Sequence, residues 1–145
     1  MMSQEDRKAL QELSVEQRLV ASNIELIRQR MELTQAFIRD QRTGLETLEE
    51  LEKRSEDEEI LIHVGGGILV KVRIADSNVV IRDIGSGVRV ESSVGKAKEK
   101  AKEIIERLEK QYESLSQDLQ KLTIRAADID TQLKETLARV QKEMK

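Results

Sequence analysis

The sequence predicts a mainly α protein, a long antiparallel coiled-coil α-hairpin with two β-hairpins at its closed end. Three observations predict it. Two apolar ladders of heptad spacing lie on either side of a stretch that reads as short strands, and none of the 145 residues is proline. An apolar repeat averaging 3.5 residues keeps one narrow seam of each helix facing a partner, and a left-handed coiled coil follows. Without proline, neither helix meets the commonest breaker.

The first element is a helix over 3–54. It can begin at Ser3, whose hydroxyl can cap the first turn with Asp6 three residues on, a start like a capping box. Its ladder steps three and four through Leu10, Leu13, Gln17, Val20, Ile24, Ile27, Met31, Thr34, Ile38, Gln41, Leu45 and Leu48. The last element, a helix over 93–145, steps the same way through Ala101, Ile105, Leu108, Tyr112, Leu115, Leu119, Leu122, Ala126, Ile129, Leu133, Thr136 and Val140. At ~1.5 Å per residue, each rod would be about 65–75 Å long. Similar lengths suit pairing along the whole extent.

Between the helices, over 59–92, the period changes to two. Ile60, Ile62 and Val64 alternate with Leu61 and His63, and Ile68, Val70, Val72 and Ile74 alternate with Leu69, Lys71 and Arg73. The turn-forming trio Asp76-Ser77-Asn78 leads into Val79–Ile84 and then Val88–Glu91. Gly65-Gly66-Gly67 and Gly85-Ser86-Gly87 mark the tight turns, where positive φ is needed. Four strands in two β-hairpins are therefore expected. Roughly thirty residues cannot bury an independent core, and a lone hairpin is marginal in water. Apolar strands with unpaired edges seek other strands, so an oligomerisation role falls to Ile60, Ile62, Val64, Ile68, Val70, Val72, Ile74, Val80, Ile84, Val88 and Val90.

Composition supports a thin seam rather than a thick core. The chain is 38% apolar and 37% charged, with one Phe, one Tyr and no Trp, against roughly 45–50% apolar and about 25% charged in average soluble domains. The net charge of −3 is too small to imply nucleic acid or an anionic membrane as partner. Residues 1–59 hold nine Lys/Arg and fifteen Asp/Glu, a balance of −6, while 93–145 hold twelve and ten, a balance of +2. Opposite signs favour one helix lying against the other. At the neck, Glu56-Asp57-Glu58-Glu59 and the cluster Lys96, Lys98, Lys100 and Lys102 each oppose their own helix macrodipole. Folding the chain back is expected to pair the two clusters. No cysteine, no apolar run near ~20 residues and no signal peptide point to a cytoplasmic protein without a membrane span.

Catalytic, cofactor and metal sites find no support. Val94-Gly95-Lys96-Ala97 resembles the end of a P-loop, but Val90 stands where its first glycine belongs and Ala97 where Ser or Thr is needed. His63, the only histidine, lacks companions at ligand spacing and reads as a strand-face or interface residue. Gly65-Gly66-Gly67 reads as a hairpin turn rather than an anion cradle, and Glu49-Glu50 as a solvated helix face. Apolar residues off the ladders carry more information. Leu19, Leu26 and Leu33 recur every seven residues, and Val15, Leu137 and Met144 also fall outside the seams. An antiparallel pairing sets Leu10 near Val140 and Leu13 near Leu137, gathering Val15, Leu19, Leu137 and Met144 toward the open end. There they either hold hydrophobic segments of another protein or serve a wider local core or a subunit contact. For Leu26 and Leu33 the second reading is expected.

The order of parts, together with Glu59-Ile60-Leu61-Ile62-His63-Val64-Gly65-Gly66-Gly67, Lys71 and Ile84-Gly85-Ser86-Gly87-Val88-Arg89-Val90-Glu91-Ser92-Ser93, resembles the α-type subunits of archaeal prefoldin over essentially the whole chain. It departs from them at His63, where they usually have proline, and at Ile68-Leu69, where a small residue and an aromatic usually follow the turn. The resemblance implies a single prefoldin-like domain over 1–145 and a hexamer of two α-type and four β-type subunits closed by the hairpins. It also implies ATP-independent capture of unfolded proteins at the coiled-coil tips and delivery to a group II chaperonin. The client-binding tips would comprise Leu10, Leu13, Val15, Leu19, Leu133, Leu137, Val140 and Met144. The alternative is a structural coiled-coil scaffold or tether whose ladders pair between chains and whose strands merely dimerise.

Overall fold

A computed structural model describes residues 2–143. Helix α1 spans Gln4–Glu52, followed by strands β1 (Glu59–Gly65), β2 (Ile68–Arg73), β3 (Val79–Gly85) and β4 (Val88–Ser93), and then helix α2 (Val94–Glu143). Both helices start on a serine cap. The Ser3 hydroxyl accepts the Asp6 N–H and the Ser93 hydroxyl accepts the Lys96 N–H, each at 3.1 Å, and each satisfies one of the donors that a first turn leaves without an intrahelical partner. Helix α1 ends two residues before the expected Arg54, where a tightened turn joins the Lys53 N–H to the Glu50 carbonyl and the Arg54 N–H to the Leu51 carbonyl.

The chain packs as two compact units. One comprises the residues through Ala36 and those from Lys110 onward; the other is Phe37–Glu109. In the first unit, the ladder seats are buried or half-buried apart from Gln17, which is exposed. Val20, Ile129 and Val140 are buried there, and Ile129 has no exposed surface. The seam threonines Thr34 and Thr136 are also buried, and their hydroxyls donate at 2.8 Å to the carbonyls of Arg30 and Gln132, one turn back. A polar group enters the seam only with its hydrogen bond supplied.

Side-chain bridges between the two helices of the same chain give their direction. In the first unit, Asp6 meets Arg139 at 2.7 Å, Glu16 meets Arg125 at 2.7 Å, and Gln35 donates to the Tyr112 hydroxyl at 3.2 Å. Moving up α1 means moving down α2, so the helices run antiparallel within one polypeptide. The second unit shows the same order, with Arg42 on Glu109 and Lys98 Nζ 2.9 Å from Glu52. These intrachain pairs oppose the scaffold reading, in which the ladders pair between chains.

The expected match between Glu56-Asp57-Glu58-Glu59 and the lysine cluster is corrected by this last pair. Lys98 reaches back to Glu52, inside α1, rather than to the acidic run beyond it. That run serves the turn instead. Glu58 accepts the Ser55 N–H at 2.9 Å and the Arg54 guanidinium at 3.0 Å, and Glu59 lies 3.9 Å from Lys71. Asp57, at φ 63°, takes the left-handed conformation that turns helix into strand, and its N–H donates to the Ile74 carbonyl at 2.8 Å.

The strands form two separate antiparallel hairpins, β1 with β2 and β3 with β4. Their backbones repeat with an offset of twenty residues. Gly65 pairs with Ile68 and Gly85 with Val88, after a register shift between His63 and Gly65 in one and between Asp83 and Gly85 in the other. The turn residues Gly66 and Gly67 have φ of 58° and 74°, and Ser86 and Gly87 have 53° and 77°. Positive φ at both central residues is what a two-residue turn needs to match the strand twist. Gly65 at φ 110° and Gly85 at 107° supply the bulge. Because a Cβ at Gly65 would meet nothing within 4 Å, Gly65→Ala should destabilise the hairpin unit by backbone strain alone, about 1–3 kcal/mol. Ser86→Gly should stabilise it by up to about 1 kcal/mol. Urea titrations of the two variants beside the parent check both signs.

Candidate assembly and client-binding surfaces

The first candidate surface lies on the hairpins of the Phe37–Glu109 unit. The register sets Ile60 opposite Val72 and Ile62 opposite Val70, so these four share one face. Their exposure rises outward from the base. Ile60 and Val72 are half-buried, whereas Ile62 and Val70 are exposed. Farther out, Val64, Ile68, Ile84, Val88 and Val90 are exposed too. Not every expected residue is free. Ile74 is buried, 7% exposed, and Val80 is half-buried, because the hairpin bases pack within their own unit. The opposite faces add residues that alternation alone had set aside: Leu61 is 60% exposed, Ile81 68%, and Leu69 and Val79 are exposed as well. Each strand pairs on one side only, which leaves edges for further pairing. A groove of about 680 Å³ opens beside β1, lined by Thr47 and Leu51 of α1 and by Ile60 and Ile62.

The second candidate surface lies in the unit that holds both chain ends. Val15, Leu19 and Leu137 are exposed. An open groove of about 790 Å³ borders Leu10, Val15 and Leu19. Leu10, Leu13 and Leu133 are half-buried in the seam. Val140, expected at the tip, is buried at 8% exposure and offers no contact while the seam is closed. Met144 lies outside the described residues. Leu26 and Leu33, expected in a wider core or a subunit contact, are exposed in the chain and belong to no local core. Ile124, 65% exposed, was missed. Its place outside the α2 ladder was the available signal. In the other unit Phe37 was missed for the same reason, and it too is exposed.

Asp6 sits four residues before Leu10, so it takes a seam seat, and it is 8% exposed. The Arg139 guanidinium and then the Ser3 hydroxyl hydrogen-bond its carboxylate and hold it below the usual range. In the other unit the Ser55 N–H and then Arg54 do the same for Glu58, and Glu52 raises Lys98. Among the described residues, no group of three or more His, Cys, Asp or Glu is placed to hold a metal ion, and no helix is long and apolar enough to cross a membrane. His63 is exposed on its strand.

Residues 20–143 match the Prefoldin family, described as prefoldin subunit. The chain belongs to the prefoldin family. It is similar to prefoldin subunit alpha of Archaeoglobus fulgidus, 34% identical over 94% of this chain and 97% of the relative. Among solved structures, it resembles a chain of filamentous PFD from Methanocaldococcus jannaschii with a TM-score of 0.67 at 23% identity, covering 79% of this chain and 95% of that one. It also resembles the prefoldin beta subunit from Thermococcus strain KS-1, with a TM-score of 0.58 at 19% identity over 88% and 91% of the two chains. At such identities the structural likeness establishes the fold, two long helices with two β-hairpins between them. Prefoldin is a family of chaperone subunits and not an enzyme class, and this chain carries the α-type likeness along nearly its full length.

The Asp6 pair gives a pH signature with a fixed sign. A carboxylate held below its unfolded value contributes stability above that value and loses it as pH falls through the folded one. Asp6→Asn should therefore melt earlier than the parent at neutral pH and differ from it less and less below about pH 4. Helix ellipticity melts across that range check the convergence.

Proposed function

We propose that this chain is the α-type subunit of a prefoldin hetero-oligomer, two α-type with four β-type chains, that holds unfolded proteins without ATP and passes them to a group II chaperonin. The observation that carries the assembly half is the pair of hairpins exposing large apolar side chains on strands with open edges. Fully burying one such side chain is worth about 1.5–3 kcal/mol, and association costs about 4–15 kcal/mol. Across these ranges about two to ten fully buried positions offset that cost, and the hairpins expose eleven large apolar side chains. The likeness to a prefoldin beta subunit supports a β-type chain as the complementary surface.

Client capture rests on Val15 and Leu19, exposed beside an open groove rather than a closed pocket, and on Leu137, exposed on α2 in the same unit. A shallow apolar surface binds weakly and without sequence preference. Several copies on one assembly raise the apparent affinity for a single client by effective concentration. The polar rim, with Arg7, Glu12 and Arg18 among its residues, keeps such a surface soluble between clients.

Two measurements test the two halves. Native mass spectrometry of the chain with a β-type partner should show two copies with four, and Leu61→Lys with Ile81→Lys should abolish that mass. Val15→Gln, Leu19→Gln and Leu137→Gln together should leave the mass unchanged and cut protection of an aggregating client at least several-fold. Full protection by the triple variant would refute the client surface, and an intact assembly with both lysines would refute the hairpin surface.

A further inference from the structure

Helix α1 carries a second heptad seam on the face turned away from its first. Leu19, Leu26 and Leu33 alternate with Val15, Ser22, Gln29 and Ala36 in steps of four and three. The three leucines and Val15 are exposed, and so are the smaller and polar seats between them. None of these seats is charged in a chain that is 37% charged. Each lies two residues beyond a seat of the buried ladder, and two residues rotate about 200° around a helix. The second seam therefore points opposite to the side that meets α2.

A repeat of 3.5 residues is useful only to another helix lying alongside, because an extended segment contacts alternate residues and would leave most of these seats unmet. The charges bordering the seam say which helix. Glu16, Asn23 and Arg30 run along one border, and Arg18, Glu25 and Glu32 along the other. Laid antiparallel on a second copy about an axis at residue 24, Glu16 faces Arg30 of the second copy and Arg18 faces its Glu32. Symmetry makes each of these contacts twice. Glu25 facing Glu25 is the one like-charged contact, and Asn23 faces Asn23. The same axis sets Leu33 on Val15, Leu19 on Gln29 and Leu26 on Ser22, large against smaller at these central layers, and ends where Ala36 meets Glu12. A parallel alignment retains only Glu25 with Arg30. Glu16 also holds Arg125 of its own chain, so it would be shared between two guanidinium groups. We propose that this chain, when free of client, associates with a second copy of itself through the outer α1 seam, antiparallel and centred on residue 24, by a contact separate from the hairpins and in competition with client at Val15 and Leu19.

The chain has no cysteine, so single cysteines report the contact cleanly. Asn23→Cys, Glu25→Cys, Arg18→Cys and Glu32→Cys are made in the full chain and treated with a short bis-maleimide. Asn23→Cys and Glu25→Cys should each link to themselves. Arg18→Cys alone should not, since the two copies of position 18 would lie about 18 Å apart along the axis, but its mixture with Glu32→Cys should link. Adding Leu19→Gln, Leu26→Gln and Leu33→Gln should remove the linked dimer while helix ellipticity stays at the parent level. Self-linking of Arg18→Cys equal to that of Asn23→Cys would mean a parallel contact and overturn the proposal. Absence of links at 23 and 25, or links that survive the three glutamines, would overturn it as well. The pattern among the four cysteine variants decides the matter even if the glutamine variant loses helix.

Discussion

A seam of only one seat per helical turn governs this molecule. With few aromatic residues and more than a third of the chain charged, the protein has no thick interior to bury, so its stability rests on repeated small contacts along two helices. Such a seam fixes a helix's rotation strongly but its sliding weakly, since each heptad resembles the next. Polar residues placed within or beside the seam supply the missing information. Asp6 occupies a seam seat and is satisfied by Arg139 and Ser3, and Glu16 is satisfied by Arg125. In any other register these groups would be left without their partners. Seam charges of this kind commonly cost some stability relative to apolar residues and contribute alignment in return.

The hairpins follow the opposite logic. A helix satisfies its backbone groups by itself, so apolar side chains are needed only on the contact stripe. A two-stranded hairpin leaves half of its backbone edges open, and these strands are apolar on positions that their own unit covers only at the base. Ile60, Val72, Val80 and Ile74 are drawn inward, whereas Leu61, Ile81, Val64 and Ile68 remain outside. The gradient from covered base to bare turn is what an assembly surface requires: a fixed footing and a free face. It agrees with membership in a family whose members are subunits.

Several features were legible in the sequence because they depend on neighbours in the chain. Both helices, the Ser3 cap, the four strands and both glycine turns follow from local periodicity and backbone preference, and they agree with the structure to within a few residues. The family resemblance rested on the same stretches. Less was legible about the surfaces. Val140 held a ladder seat and was also expected at the client-binding tip, and the structure keeps it buried in the seam. The acidic run at 56–59 faced a lysine cluster on paper, but Glu58 and Glu59 found nearer partners in the turn and in β2.

By itself, the sequence determined that this chain makes two heptad helices around two tight hairpins, because spacing, caps and glycine φ are properties of a single strand of polypeptide. Tertiary structure decided which apolar residues stay free and which charges meet: Val140 inside, Ile124 and Ile81 outside, Lys98 on Glu52. Those outcomes depend on the rotation and register of one element against another. They belong to pairs of elements, and no residue carries them alone.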